Sequence, residues 1–434
     1  MDFNEALAYL NSVEKFGIRL GLSNIEFLLK SFDNPQNKFK TIHIGGTNGK
    51  GSVCSMVFEA LKRAGYKTGL YTSPHLIDIT ERIRVNDDCI SKAEFSEIIS
   101  EIRKKINSSI FKKNLVGHPT YFEILTLAGF LFFEKEKIDV GVIEVGLGGR
   151  FDATNVIYPE ISAITNVSYD HENYLGKKLS EIAFEKAGII KARIPVVYGG
   201  KKGIAYFTIK EKAIEVKSPL IWVNSKENIF GINRLENRYL FSLKTPRFSY
   251  EFTPSLQGRH QGENALVSIF ILEELRKKGW NISPEQIKNS IENTKWEGRL
   301  ETINTNPQII LDGAHNPHAI KRLKEYIEEN IDKKIALIFG AMRDKDIFRM
   351  AKLMFPMSER VILTKANTER AAEPLFIMKI SKAKTKNIEI MDNVKLAIEK
   401  LTKECSDDFV ILITGSLYLV GEAKKALIEC NKIK

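Results

Sequence analysis

One short stretch of the chain changes character halfway along, from the pattern of a buried strand to that of a helix. The stretch is TIHIGGTNGKGSVCSMVFEAL, residues 41–61. Its first four residues have the composition of a strand end, and the apolar residues from Val53 to Leu61 have the spacing of one helix face. Four glycines, one lysine and two hydroxyl residues lie between them. So many glycines in one turn predict positive φ angles, or a backbone that approaches something closely.

The turn between this strand and helix is suited to binding phosphate. The helix N-terminus offers unpaired N–H groups to an anion, Lys50 can neutralise a phosphate, and Ser52 can ligate a magnesium ion. The strict phosphate-loop pattern requires glycine at position 44 and a hydroxyl after the lysine, whereas this chain has Ile44 and Gly51. A purely structural turn is the alternative, but such a turn has no need of a lysine among its glycines. The stretch therefore favours a phosphate-binding loop.

The rest of the chain predicts an α/β fold in two parts, since 434 residues are too many for one ordinary core. Apolar runs alternate with helical patterns over residues 39–199, as in parallel βαβ units. Residues 220–252 alternate apolar and polar side chains and predict an antiparallel addition, and residues 260–279 predict a helix. The pattern breaks near Trp296 and then α/β alternation restarts. We predict domains over residues 1–296 and 297–434.

Composition narrows the class of protein. The chain is 43% hydrophobic and 27% charged, which is typical of a globular protein. Its formal charge of +11 suits a partner that is either nucleic acid or a small anionic substrate. A basic patch interleaved with aromatic residues would favour nucleic acid, and the sequence shows none. The four cysteines are far apart, so neither a disulfide framework nor a zinc site is indicated, and a reducing, cytoplasmic location is expected. The acidic N-terminus is unlike a signal peptide, and the apolar run at 125–133 predicts a core helix.

Polar side chains stand where predicted strands end, the place where ligands gather in open α/β sheets. Glu144 lies in the apolar run VGVIEVGLGG, where a carboxylate is costly unless it is paired or binds a cation. We interpret it as a magnesium ligand; a buried ion pair with arginine is the alternative. Asp170 and His171 follow another strand, although magnesium prefers oxygen to imidazole. Ser73 is either a further ligand or part of a proline turn.

Three further segments have more than one interpretation. The glycine-rich loop at 147–155 suits a cover over a site or an ordinary surface turn. The spacing around Lys186 predicts a solvated helix lysine. Asp312 and His315 lie where a predicted strand ends and a helix begins. Their side chains suit binding of a ribose, binding of a carboxylate, or capping of the helix.

Seven motifs in order along the chain carry a resemblance to a known family. The set resembles folylpolyglutamate synthase and dihydrofolate synthase, which belong to the Mur ligase superfamily of ATP-dependent amide-forming ligases. The motifs are GTNGKGS at 46–52, TSPHL at 72–76 with ERIRVN at 81–86, EVGLGGRFDATN at 144–155, EKAGI at 185–189, GRHQGENA at 258–265, GRLE at 298–301 and LDGAHNP at 311–317.

The resemblance implies an N-terminal P-loop-like ATPase domain and a C-terminal Rossmann-like α/β domain that closes over the site between them. It implies that ATP phosphorylates a folate carboxylate, that the amine of glutamate attacks the acyl phosphate, and that phosphate leaves as the amide forms. The implied substrates are ATP, L-glutamate and a reduced folate or dihydropteroate, with two magnesium ions as cofactor. Neither nucleic acid nor a membrane is an expected partner.

The resemblance also implies roles for individual residues. The implied triphosphate contacts are Asn48, Gly49, Lys50, Gly51 and Ser52. The implied magnesium ligands are Ser52, Ser73, Glu144 and His171. Lys186 matches a lysine that family members carbamylate, and the catalytic candidates are Lys50, Lys186, His171 and Glu144. The remaining assignments are Asn264, Arg299 and Asp312 to the nucleotide, His315 and Ser416 to glutamate, and Asp152 and Ala153 to the pterin.

Two alternatives remain. A cell-wall Mur ligase shares the phosphate loop and the acyl-phosphate chemistry, but it usually carries a further N-terminal domain, and only about 40 residues precede this loop. A nucleic-acid-associated P-loop ATPase is favoured by the charge of +11.

Overall fold

The computed structural model describes residues 1–14, 17, 19, 21–108, 115, 117–236, 238–303, 305–381 and 387–430. Over these ranges the strands form three sheets. The strands are β1 Lys40–Gly45, β2 Thr68–Tyr71, β3 Ile83–Val85, β4 Asp88–Cys89, β5 Val140–Glu144, β6 Ile161–Ile164, β7 Val196–Tyr198, β8 Leu220–Trp222, β9 Ile229–Leu235, β10 Arg238–Lys244, β11 Ser249–Phe252, β12 Glu301–Ile303, β13 Gln308–Asp312, β14 Lys334–Phe339, β15 Arg360–Leu363, β16 Ile388–Ile390 and β17 Phe409–Thr414.

Helices cover the sheets. They are α1 Phe3–Glu14, α2 Ser23–Ser31, α3 Lys50–Arg63, α4 Lys92–Asn107, α5 Tyr121–Lys135, α6 Glu172–Leu175, α7 Leu179–Ala187, α8 Ile204–Glu215, α9 Ser225–Asn228, α10 His260–Lys277, α11 Pro284–Asn293, α12 Pro317–Asn330, α13 Ile347–Met354, α14 Pro374–Ser381, α15 Val394–Glu404 and α16 Leu417–Glu429. In the part of the chain that the structure describes, every helix is too short or too polar to span a bilayer.

The first sheet has the order β4-β3-β2-β5-β1-β6-β7-β8 and is parallel except for β3 and β4. Its central strands read as continuous apolar runs because helices cover both faces, and β1 and β5 are buried almost throughout. The predicted parallel strands are confirmed. Two details differ: β3 and β4 add a hairpin at one edge, and β8, which we placed in the antiparallel addition, pairs in parallel with β7.

The predicted antiparallel addition is a three-stranded sheet with the order β11-β10-β9. Its alternation of apolar and polar residues turns Phe241, Leu243 and Phe252 toward the core. These side chains join the cluster of α3 and α10, two helices that pack against each other. The apolar segment of α5 is a core helix, as its sequence predicts.

The third sheet has the order β12-β13-β17-β14-β15-β16, parallel except for β12. The α/β fold, with a mostly parallel N-terminal sheet, antiparallel strands and a second sheet-and-helix part, is confirmed. Sequence reasoning overlooked β12, the short strand within the segment where the pattern breaks. The division at 296/297 stays a prediction.

Candidate active site

The loop between β1 and α3 is tightly enclosed by its neighbours. Gly46 has φ 136° and Gly49, which caps α3, has φ 82°, so both lie where side chains are strained. A Cβ atom on Gly46 would collide with the Thr165 hydroxyl, and one on Gly49 with the Asn264 amide. A Cβ on Gly51 would lie 2.8 Å from the indole of Trp296. The glycines are therefore required by close packing as well as by backbone conformation.

Backbone and side-chain hydrogen bonds hold this loop against the segment that follows β6. Thr165 Oγ1 and Asn166 Nδ2 both donate to Asn48 O, at 2.7 and 2.9 Å. The backbone N–H of Asn48 donates in return to Asn166 Oδ1 at 3.1 Å. Because these backbone groups of Asn48 are paired with the segment after β6, the shape of the loop is preorganised. Sequence reasoning overlooked Asn166, although it is another polar residue directly after a strand.

Two lysines approach the loop from different sides. Lys50, in the first turn of α3, donates to Thr47 O at 3.2 Å. Lys186 is only 4% exposed and donates to Gly46 O at 2.9 Å. Burial, aided by the charge of Lys50, lowers the pKa of Lys186 to about 7. The expectation of a solvated lysine at 186 is therefore wrong, because Lys186 lies on the buried face of its helix, which packs against the loop.

Glu144 ends β5, next to β1 in the sheet, and is buried. It accepts a hydrogen bond from Ser73 N at 3.1 Å. Burial raises the pKa of its carboxyl, and the charge of Lys50 opposes the rise. Glu144 forms no ion pair within the described ranges, but the charges of Arg299 and Arg82 also act on its carboxyl, so the alternative of a buried arginine partner stays open at longer range. Ser52, also buried, lies in the first turn of α3.

These residues fit a magnesium ion in their chemistry. A buried carboxylate that forms no ion pair within the described ranges, together with the hydroxyls of Ser52 and Ser73, offers oxygen ligands, which magnesium prefers. No group of three or more His, Cys, Asp or Glu side chains is arranged to hold a metal ion among residues that the structure describes. Any magnesium here would depend on Glu144, on hydroxyls and on phosphate oxygens.

A charged cluster joins the end of β6 to the loop after β14. Lys345 Nζ donates to Asp170 Oδ1 at 2.6 Å and lies 3.0 Å from His171 Nε2. Asp170 is largely buried, yet Lys345 and two nearby histidines hold its pKa well below the usual range. Burial, followed by Lys345, lowers the pKa of His171 to about 4. His171 can serve as a magnesium ligand through Nε2 only if Lys345 moves away.

A second polar link runs from the phosphate loop to the N-terminus of α12. Asn316 Nδ2 donates to Asn48 Oδ1 at 2.9 Å and to Asp170 Oδ2 at 3.1 Å. Asn316 also caps α12 by accepting from Ala319 N. His315 points its Nδ1 at Gly313 O and its Nε2 toward Asp170, at 2.8 and 3.8 Å. The two halves of the molecule therefore meet directly at the phosphate loop.

The segment that joins the two halves is shaped by carboxylates. Asp312 accepts from Leu300 N and Ala314 N, both at 2.9 Å. Burial raises the pKa of Asp312, while Arg299, whose guanidinium lies over Gly313, opposes the rise. Lys424 pairs with Glu301 at 2.6 Å and thereby stabilises the same segment. These contacts fix the backbone next to Arg299.

Three predicted site residues are buried within the local structure. Asp152 is buried and accepts from Leu147 N and Thr154 N, at 2.7 and 3.0 Å. Ala153 is buried beside it. Ser416, 1% exposed, caps α16 by accepting from Leu419 N. These contacts leave the implied pterin and glutamate roles untested. Asn264, in contrast, lies directly against Gly49.

Sequence reasoning also overlooked Lys345. It lies in GAMRDKD, a run of charges directly after the apolar strand β14, which is the same signal that drew attention to Glu144. Its partner is 175 residues away in the chain, so no local pattern could indicate the pairing.

Comparison with known proteins matches both halves to one family. The Mur ligase middle domain family matches residues 44–272, and the Mur ligase glutamate ligase domain family matches residues 298–417. The chain is 34% identical over 430 residues to the dihydrofolate synthase/folylpolyglutamate synthase of Bacillus subtilis, with 98% of this chain and 99% of that protein covered.

The chain belongs to the folylpolyglutamate synthase and dihydrofolate synthase family of Mur ligases. It is an ATP-dependent ligase. The crystal structure of folylpolyglutamate synthase from Thermotoga maritima superimposes with a TM-score of 0.81 at 33% identity, covering 100% of this ligase and 98% of that chain. A structure of E. coli FolC in complex with DHPP and ADP gives a TM-score of 0.85 at 25% identity, covering 100% of this ligase and 99% of that chain.

Proposed function

We propose that this ligase joins L-glutamate to the carboxylate of a reduced folate, of dihydropteroate, or of both, at the expense of ATP. Both acceptors are kept because the B. subtilis relative is named for both activities and because the E. coli neighbour holds DHPP with ADP. Small-molecule substrates are consistent with a site enclosed between two halves of one chain.

One observation carries the proposal: lysines from both halves lie at or near a preorganised loop that suits phosphate. Lys50 and Lys186 contact the loop from the first half. Lys345, from the second half, pairs with Asp170, which Asn316 links to Asn48 of the loop. A carboxylate is a poor electrophile, and joining it to a second anion requires charge neutralisation and exact alignment of the reactants. Transfer of the γ-phosphoryl group of ATP to the acceptor carboxylate gives an acyl phosphate, which the uncharged amine of glutamate attacks with release of phosphate.

Individual roles follow from placement. Asn48, Gly49, Lys50, Gly51 and Ser52 would hold the triphosphate, and Asn264, Arg299 and Asp312 the rest of the nucleotide. His315, Ser416 and the newly found Lys345 would face glutamate, since they belong to the second half. Asp152 and Ala153 would border the pterin. Closure of a domain at 297–434 over one at 1–296 would exclude water, which otherwise hydrolyses the acyl phosphate.

Magnesium would be held by Ser52, Ser73, Glu144 and, once Lys345 has moved, His171. When bound, it supplies positive charge to the phosphate oxygens. Glu144→Gln keeps the shape of the side chain and removes its charge, so we expect a strongly raised magnesium requirement with little change in acceptor affinity. An unchanged magnesium titration would argue against this ligand set.

Lys186 would be carbamylated. An amine must be unprotonated to react with carbon dioxide, and the lowered pKa of Lys186 supplies that form near neutral pH. Its product would be an anion beside the phosphate loop. Intact-protein mass after gentle trapping of the carbamate, compared with Lys186→Ala, tests the modification.

Product analysis by mass tests the function as a whole. The protein is incubated with ATP, glutamate and either dihydropteroate or tetrahydrofolate, and we expect the acceptor mass to rise by one glutamate residue at a time. Lys50→Ala is the control. Formation of ADP that responds to nucleic acid but not to an acceptor with glutamate would instead favour the P-loop ATPase alternative.

A further inference from the structure

Among the described residues, the buried lysines and arginines are Arg82, Lys186 and Lys424. Burying a charged side chain is energetically unfavourable, and the three differ in how this free-energy cost is offset. Lys424 pairs with Glu301 and Glu297, at 2.6 and 2.8 Å. Lys186 can lose its proton at neutral pH. Arg82 can do neither, because a guanidinium stays protonated and none of the described carboxylates lies within ion-pair distance of it.

The acidic residues nearest to Arg82 in the chain are already committed. Glu81 accepts from the backbone N–H groups of Leu76, Ile77 and Asp78. Asp78 accepts from Thr80 and contacts Lys92. The buried carboxylate of Glu144 interacts with the charge of Arg82 but forms no ion pair with it. An arginine that is 5% exposed and has no described carboxylate in direct contact is costly, so its position indicates an anion that arrives from outside the chain.

The side chain of Arg82 is held so that one edge remains available. Its Nε donates to His75 Nδ1 at 2.9 Å, and its guanidinium lies 5.6 Å from the centre of the Tyr121 ring. The two terminal nitrogens have no hydrogen-bond partner among the described residues. Two parallel N–H groups at the end of a fixed guanidinium match the two oxygens of one carboxylate.

Arg82 lies between the two ends of the proposed acceptor path. Its carbonyl accepts from Thr72 N, next to Ser73 and Glu144 at the phosphate end. Arg82 also faces the ring of Tyr121, which is the first residue of α5. The next residue, Phe122, packs against Gly146 beside the 147–155 loop. Through these contacts Arg82 borders both ends, within reach of an acceptor that extends from that loop to the phosphate.

We propose that Arg82, oriented by His75, binds the α-carboxylate of an acceptor that already carries glutamate, the carboxylate that is not phosphorylated. This proposal rests on the proposed function. Dihydropteroate has only its reacting carboxylate, so Arg82 favours glutamylated acceptors over dihydropteroate. Arg82 is thereby a specificity-determining residue.

The sharpest test removes each partner in turn. Binding of dihydropteroyl-glutamate and of dihydropteroyl-γ-aminobutyrate, which lacks only the α-carboxylate, is measured by calorimetry with a non-hydrolysable ATP analogue present. Wild-type protein should prefer the first by roughly 10- to 100-fold, the value of a charge-assisted hydrogen-bonded pair. Arg82→Gln should abolish that preference. Arg84→Gln, two residues further on with its guanidinium over Phe58, is the matched control and should keep it.

The outcomes separate the possibilities. A preference that survives in Arg82→Gln overturns the proposal, and so does an equal loss of affinity for both ligands, which would give Arg82 a general or structural role. Thermal unfolding without ligand provides a second readout: removal of an unpaired buried charge should leave the midpoint unchanged or raise it, whereas a structural role would lower it. Wild-type protein that binds neither ligand and forms no product would contradict the proposed function instead.

Discussion

The phosphate loop and the seam between the first and third sheets lie next to each other but are built differently. Glycines without room for a Cβ and backbone hydrogen bonds to Thr165 and Asn166 hold the loop. The seam consists of polar side-chain pairs, such as Asp170 with Lys345 and Asn48 with Asn316. Steric packing fixes one shape, whereas polar pairs can be exchanged for ligand contacts. The loop is therefore preformed, and the seam is the part that can adapt when substrates bind.

The largest expected effect comes from the loop, where Lys50→Ala removes a charge from the phosphate site and nothing from a core. We expect turnover to fall by roughly a hundred- to a thousandfold or more, because one electrostatic contact to the transferred phosphoryl group is lost. The unfolding midpoint should stay close to that of the wild type, since the Lys50 ammonium has only one described hydrogen bond. Wild-type ADP release in this variant would show that the loop does not bind the reacting phosphate.

Lys186 tests whether the preformed loop requires a carbamate beside it for activity. Lys186→Ala should lose most activity, and short carboxylates in the buffer should restore part of it if a carbamate is required. Acetate that rescues Lys50→Ala equally well would make that rescue nonspecific.

The same lysine makes a prediction about pH. Its pKa of about 7 in the folded protein is below its ordinary value of 10.5, so between these values the unfolded chain binds more protons and stability rises with pH. In protein whose Lys186 is not carbamylated, Lys186→Met should therefore be more stable than the wild type at pH 7, by on the order of 1 kcal/mol for each unit of the shift. Chemical denaturation should show this gap closing toward pH 10.5. A gap that is independent of pH would contradict the lowered pKa.

At the seam, Lys345→Met leaves Asp170 buried without its cation. We expect a loss of roughly 3 kcal/mol in the free energy of unfolding at neutral pH. Because Lys345 keeps the pKa of Asp170 low, the wild-type advantage is present above the unfolded pKa near 4 and is lost as the pH falls through that region and below. An unchanged stability at pH 7 would mean that water or the loop already compensates Asp170.

The smallest effect is expected where the seam reaches solvent. Arg322 contacts Glu263 at 3.2 Å, and both side chains are partly exposed, at 27% and 44%. Arg322→Ala should change the free energy of unfolding by no more than about 1 kcal/mol. A much larger loss, measured beside Lys345→Met, would show that the whole seam acts as one network rather than as separate pairs.

Local patterns in the sequence predicted most of the fold and the loop half of the site. The glycines around Lys50 and the carboxylate of Glu144 stand out within single strand-turn-helix units of the sequence, and such units leave periodic signals. The depth of Lys186, the pairing of Lys345 with Asp170 and the contact of Asn316 with Asn48 depend on packing between elements that are 140 to 268 residues apart. A single sequence carries no pattern for contacts of that kind. The edge hairpin of β3 and β4 was missed for another reason, since a two-residue strand is too short to show periodicity.

The indole of Trp296 against Gly51 gives the protein a built-in optical reporter. The chain has three tryptophans; Trp222 lies in β8, and Trp280 packs on Tyr66. Replacing Trp222 and Trp280 by phenylalanine would leave one fluorophore, located where the helix of the nucleotide loop meets the connection to the second half. Its emission would follow nucleotide arrival and the movement of that connection in real time, without an attached dye.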